Sequence, residues 1–186
     1  MIDFKHLQEH RIDFPAYSFL GTAAEAAALS AEHQDQIHFL GAAATTFVDQ
    51  YLEASYMMHG AMSTRNPTPF RTGYFQNIET FSPESEAALK KWLYRRGIPF
   101  RHYVLLLGNE EAVLLTWKMV MKYAADIFLH SDQLVFDETL NWGLFYYHHL
   151  PFTFGKNRVF DPEEESQRMY ALHEMRRQYP FLQFPY

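Results

Sequence analysis

The amino-acid sequence predicts an α+β fold in a single domain spanning residues 1–186, and three observations carry that prediction. The first is the stretch from Thr116 to Gly155, TWKMVMKYAADIFLHSDQLVFDETLNWGLFYYHHLPFTFG, which reads as a helix leading into a three-stranded antiparallel meander. The second is Phe100 to Leu107, where Tyr103, Leu105 and Leu107 alternate against His102, Val104 and Leu106 as in a strand. The third is a pair of well-marked helix starts, Ser82-Pro83-Glu84 and Asp161-Pro162-Glu163, on either side of these strands. Together they predict a mostly antiparallel sheet of about four or five strands within residues 100–155, packed with an N-terminal helical part and a C-terminal helix.

Ile2, Phe4, Leu7 and Ile12 give the first residues the makings of a short helix or an arm. His6 and His10 are one helical turn apart, but no Glu stands between them in the metalloprotease pattern and no third ligand is evident. Thr22 and Glu25 fit a capping box, and Ser30 with Glu32 fits a second helix start. From Ile37 the spacing of Leu40, Ala44, Phe47, Val48, Tyr51, Leu52 and Ser55 predicts a long amphipathic helix that ends near Gly60.

Residues 61–81 read as a long irregular loop, because Pro67, Pro69 and Gly73 break helices, with room for a short strand from Gly73 to Ile78. Arg65, Arg71, Phe70, Tyr74 and Phe75 give this loop both charge and aromatic surface. Ser82 is placed to cap the next helix, whose inward stripe Ser85, Leu89, Trp92, Leu93 and Arg96 runs to Gly97, with Lys90, Lys91, Arg95 and Arg96 suiting the helix C-terminus. Glu110 to Leu115 is locally ambiguous, and the run Val113-Leu114-Leu115 favours a strand.

Within the meander, Trp117, Val120, Met121 and Ala124 share one helix face, and Thr116 is placed to cap that helix. Leu134 to Phe136 begins the strands, and Asp137 to Asn141 supplies turn chemistry. Trp142 to His149 is expected as a second strand, with Trp142, Leu144, Tyr146 and His148 opposite Gly143, Phe145, Tyr147 and His149. The last helix follows Asp161, with Met169, Leu172 and Met175 inward and Glu164 placed to pair with Arg168. Residues 179–186 form an aromatic, proline-broken tail.

Net charge is −6 with a pI of about 5.9 and no basic run, which argues against nucleic acid as a partner. No apolar run approaches the roughly 20 residues that span a bilayer. The start MIDFKHLQEHRIDF lacks the charged and apolar regions of a signal peptide, so a cytoplasmic location is expected. The absence of cysteine removes disulfides, thiolate metal sites and thiol nucleophiles together. No phosphate-binding loop, nucleophile elbow, HExxH or kinase signature is present, and no cofactor is expected.

Asp126, Asp132, Asp137 and Glu138, with Trp142, Tyr146 and Tyr147, make a candidate acidic and aromatic surface for a basic protein partner. Phe70 and Tyr74 of the irregular loop extend it. The competing reading is that these aromatics are core and these acids are turn residues. A second candidate is a metal-dependent enzyme site in which His130 and Asp132 converge with His148 or His149. A third is an oligomeric structural subunit.

The segment TWKMVMKY, followed by HSDQLVFDETLNWGLFYYHHLPFTFG, resembles small uncharacterised bacterial proteins, among which immunity proteins that neutralise a secreted toxin are common. Their strands likewise carry a Trp followed by aromatics and His, ending in Phe-x-Phe-Gly. The resemblance spans residues 116–155, implies a non-enzymatic binder of a toxin domain, and assigns no functional residue.

Overall fold

A computed structural model describes residues 2–59, 69–108, 111–128, 132–147 and 150–182. A 3₁₀ turn, Phe4–His10, starts at Asp3, whose carboxylate accepts from the His6 backbone. Then come β1 (Tyr17–Ser18), β2 (Gly21–Thr22), α1 (Ala23–Ala27), α2 (Ala31–Gln34), β3 (Ile37–Phe39), α3 (Ala42–Ala54), β4 (Phe75–Phe81) and α4 (Glu86–Tyr94). The second half contains β5 (Tyr103–Gly108), β6 (Glu111–Thr116), α5 (Trp117–Lys122), α6 (Ala124–Phe128), β7 (Gln133–Phe136), β8 (Trp142–Tyr146), β9 (Phe152–Arg158) and α7 (Pro162–Gln178).

The α+β class stands as expected, but the sheet is larger than the sequence implied. Among the described residues it has seven strands in the order β3-β6-β5-β7-β8-β9-β4, every neighbouring pair antiparallel. The two added strands are the edges. Ile37–Phe39, expected as the start of the long helix, pairs instead with β6 through Ile37↔Leu115 and Phe39↔Val113. All three of its residues are buried, so tertiary pairing overrides a spacing that also suits a helix. Helix α3 therefore begins only after Gly41 and ends at Ala54; Gly60 is outside the described residues.

Residues 75–81, inside the expected irregular loop, form β4 along β9, from Phe75↔Arg158 to Phe81↔Phe152. Because β4 continues to Phe81, Ser82 and Pro83 are spent on the turn. Ser85 rather than Ser82 caps α4, accepting from the Ala88 backbone. Residues 60–68 of that loop lie outside the described residues.

Other local signals appear as read. Thr22 and Glu25 form the capping box, and Asp161 caps α7 through the Glu163 and Glu164 backbones with Pro162 in its first turn. Glu111–Thr116 is a strand. Thr116 does stand at the cap of α5, but its hydroxyl donates to Gln36 Oε1 and makes no cap bond. That helix breaks at Tyr123, so the run expected as one helix becomes α5 and α6.

Helices cover both faces of the sheet. On one face, Phe47, Val48 and Tyr51 of α3 and Leu172 and Met175 of α7 pack with Leu105, Leu107, Leu134, Phe136 and Phe145. On the other, Trp92 and Leu93 of α4, Val120 of α5 and Ile127 of α6 pack with Val104, Leu106, Val135, Leu144 and Phe154. The alternation of β5 and β8 is thus expressed in two separate cores. At the start of the tail, Tyr179 meets Phe47 with ring centroids 4.9 Å apart, and Leu182 is buried.

Helix α7 is pinned to β9 by charge inside the fold. Glu165 binds Arg168 at 2.9 Å and also Arg158 of β9. Arg168 is 2% exposed, and burial lowers the pKa of its guanidinium. The expected Glu164–Arg168 pair is therefore replaced, because Glu165 lies on the buried side of the helix with both arginines. Removing one member of a buried charge group leaves the others uncompensated. Glu165→Gln is expected to lower unfolding free energy by about 3 kcal/mol, read as a reduced urea midpoint with an unchanged slope.

Candidate functional site

The expected acidic and aromatic residues do not form one surface. Asp132 precedes β7, and Gln133 pairs with Tyr146, so Asp132, Tyr146 and Tyr147 stand at one end of the sheet. Asp126 on α6 lines a cavity with Gln133 at that same end. Asp137, Glu138 and Trp142 stand at the other end, roughly 17 Å away at the rise of an extended strand.

Phe70, Tyr74 and Trp142 are buried, which corrects their assignment as contact residues. The reason for Phe70 is local. Gly143 and Gly155 are opposite each other on β8 and β9, and with no side chains they leave a flat patch of backbone. The Phe70 ring lies over Gly143, where a Cβ would stand 3.0 Å from Phe70 Cε1. Phe75 covers Gly155, the Phe70 and Phe75 rings meet edge-on at 4.9 Å, and Tyr74 meets Phe75 at the same separation.

Asp137 is also buried, and it is a structural hub. Its Oδ2 accepts from the Trp142 indole at 2.6 Å and is 2.9 Å from His102 Nε2. Its Oδ1 accepts from the Thr139 backbone at 2.9 Å and from the Thr139 hydroxyl. This closes the β7–β8 turn, in which Leu140 takes a positive φ of 54° with its side chain fully buried. A carboxylate-held histidine is the unit from which general bases are made. However, neither His102 nor Asp137 lines the cavity beside Gln133, and the His102 side chain is 40% exposed.

Of the residues expected at a metal site, His130, His148 and His149 lie outside the described residues, and Asp132 is half-buried. His10 and the described histidines elsewhere add no cluster: among the described residues no group of three His, Asp or Glu side chains is arranged around a metal position.

A wide concavity lies elsewhere. A groove of about 900 Å³ runs between α3 and α7. Its floor is Leu107 of β5 and Leu134 of β7, and Leu52 and Met175 form apolar walls. Asp49 and Glu53 stand on the α3 rim and Glu174 on the α7 rim, all three exposed. Among the described residues one cation lines it: Arg71, whose guanidinium lies 4.6 Å over the Tyr56 ring and donates to the Met58 carbonyl. Glu174 also meets Arg177 at 2.9 Å on the exposed side of α7.

Sequence reasoning did not find this site. Asp49 and Glu53 are one turn apart on the polar side of α3, a spacing that was legible. Their meeting with Glu174 depends on α3 and α7 packing side by side, which local patterns do not encode.

His38 on β3 was also missed. Its ring is buried, stacks on Tyr103 at 5.8 Å, and neither nitrogen has a hydrogen-bond partner among the described residues. Burial and then the nearby Arg11 charge lower its pKa below 6.5, with Asp35 opposing.

Comparison with known proteins finds no matching family, no similar curated protein and no similar solved structure.

Two outcomes follow from these geometries. Asp137→Ala orphans the buried Trp142 indole N–H and opens the turn, so a loss of at least about 2 kcal/mol is expected, with a shifted tryptophan emission spectrum before unfolding. For His38, the unfolded chain takes up a proton near pH 6.5 that the folded chain resists. Stability from this residue is therefore complete above that pH and is lost as pH falls below it. His38→Phe is expected to flatten the decline of the urea midpoint between about pH 6.5 and 5 relative to the parent chain.

Proposed function

We propose that this chain is a non-enzymatic binding protein of the immunity type, which seats a cationic, apolar-anchored segment of a partner protein in the groove between α3 and α7. The observation that carries the reading is the groove itself: among the described residues, three rim carboxylates against one guanidinium, over a floor of leucine side chains. An apolar floor supplies burial energy, and rim charge of one sign steers an oppositely charged segment and fixes its register. The resemblance of residues 116–155 to immunity-type proteins supplies the setting, neutralisation of a toxin. A chain free of cysteine suits a reducing cytoplasm. Among the described residues, no helix is long and apolar enough to cross a membrane.

The contact surface in this reading differs from the one the sequence pointed to. It keeps the acidic character and the basic partner but moves the carboxylates to Asp49, Glu53 and Glu174. Because all three are exposed, reversing them leaves the fold intact to within about 0.5 kcal/mol per site.

The test is affinity capture from the host lysate with the parent chain and with the D49K/E53K/E174K variant, each shown folded by its thermal melt. The expected result is a basic protein retained stoichiometrically by the parent chain, with affinity reduced about tenfold or more in the variant at low salt. Equal retention by both chains contradicts the groove. Reduced retention only for Asp126→Lys and Asp132→Lys would return the contact to the sheet end.

A further inference from the structure

The two edges of the seven-stranded sheet are protected unequally. Strand β3 is only three residues long, and its outer side is covered: Ile12 N–H donates to the Phe39 carbonyl at 2.8 Å, Gly41 N–H donates to the His10 carbonyl at 2.9 Å, and Arg11 bridges Leu40. Strand β4 has seven residues and, among the described residues, pairs only with β9. Among the described residues, no backbone group of 75–81 bonds to anything on its outer side. An open edge of this length is a template for another strand, and natural sheets blunt such edges with lysine, proline or a bulge.

None of those devices is present in Phe75-Gln76-Asn77-Ile78-Glu79-Thr80-Phe81. The strand carries one charge, Glu79, and that charge is already matched. The Arg96 guanidinium binds it through two bonds of 2.7 and 3.2 Å, and the Trp92 indole donates to it. The Arg96 hydrogen bond lowers the Glu79 pKa. At the middle of the strand, Ile78 is 42% exposed, an apolar side chain on an otherwise polar stretch.

We infer that β4 pairs antiparallel with β4 of a second copy of this chain, across a two-fold axis at Ile78. The sequence is complementary to itself about that residue. Ile78 meets Ile78 of the partner subunit, Asn77 meets Glu79 of the partner subunit, and Gln76 meets Thr80 of the partner subunit. An isologous contact requires this kind of self-complementarity. A register centred on Glu79 instead sets two carboxylates opposite each other, and one centred on Asn77 sets Glu79 against Phe75 and leaves Ile78 against Gln76. The pairing satisfies both open edges at once and joins two sheets into one. It is independent of the groove, which is formed by α3, α7 and the β5–β7 floor.

The experiment is sedimentation velocity on the full chain over a range of micromolar concentrations, with three variants whose thermal melts establish folding. The parent chain is expected to show a reversible dimer of twice its 22.0 kDa mass. Ile78→Lys, at an exposed position, is expected to give monomer throughout. Asn77→Lys sets an ammonium opposite Glu79 of the partner subunit and is expected to tighten the dimer several-fold, whereas Asn77→Glu is expected to weaken it by a similar factor. A parent chain that stays monomeric at every concentration overturns the proposal. So does a dimer that Ile78→Lys leaves intact, or one in which the two Asn77 variants shift the equilibrium in the same direction.

Discussion

The fold depends on one constraint: the central strands are apolar on both faces. Leu105, Leu107, Leu134, Phe136 and Phe145 point one way, and Val104, Leu106, Val135 and Leu144 point the other. No arrangement with one solvated face satisfies such strands, so helices must cover both. The rest of the chain divides its helices accordingly. Helices α4, α5 and α6 cover one face, and α3 with α7 cover the other. Where α3 and α7 stand apart over Leu107 and Leu134, the cover opens into the groove. The candidate site is thus a consequence of how the second face is roofed.

Polar groups inside this framework serve as fasteners. Asp137 ties the β7–β8 turn to Trp142 in one core and to His102 at the start of β5. Glu165 ties α7 to β9 through Arg168 and Arg158. Each replaces a loose connection with a charged, hydrogen-bonded one, whose geometry is worth more in a buried setting than at the surface. The glycine pair Gly143 and Gly155 has the opposite role, since it removes side chains so that Phe70 and Phe75 can lie on the sheet.

What the sequence made legible was local chemistry. The capping box of Thr22 and Glu25, the Asp161-Pro162 start of α7, the strand character of Val113 to Leu115 and the meander of β7, β8 and β9 all follow from neighbouring residues. The misses have a common cause in long-range pairing. Ile37 to Phe39 suits a helix by spacing but becomes an edge strand because β6 offers it a partner. Residues 75–81, where the sequence left room only for a short strand from Gly73 to Ile78, become a seven-residue edge strand once β9 is beside them. Phe70 and Tyr74 looked like surface because nothing near them in sequence discloses the glycine patch that buries them. The acidic residues were counted along one stretch, whereas the carboxylates that share a groove come from positions 49, 53 and 174. Shared location between distant helices leaves no periodic trace in either one.

The proposed recognition site is the opening between α3 and α7, set apart from the sheet end at Asp132 and Tyr146 and from the β4 edge. Carboxylate footprinting of the complex with the captured partner tests it most directly. Free and bound protein are labelled with a carbodiimide-activated amine, and modification is read at each acid by mass spectrometry. Protection concentrated at Asp49, Glu53 and Glu174, with Asp126 and Glu138 labelled equally in both states, is the predicted result. Unchanged labelling of the three groove carboxylates on binding would contradict the account.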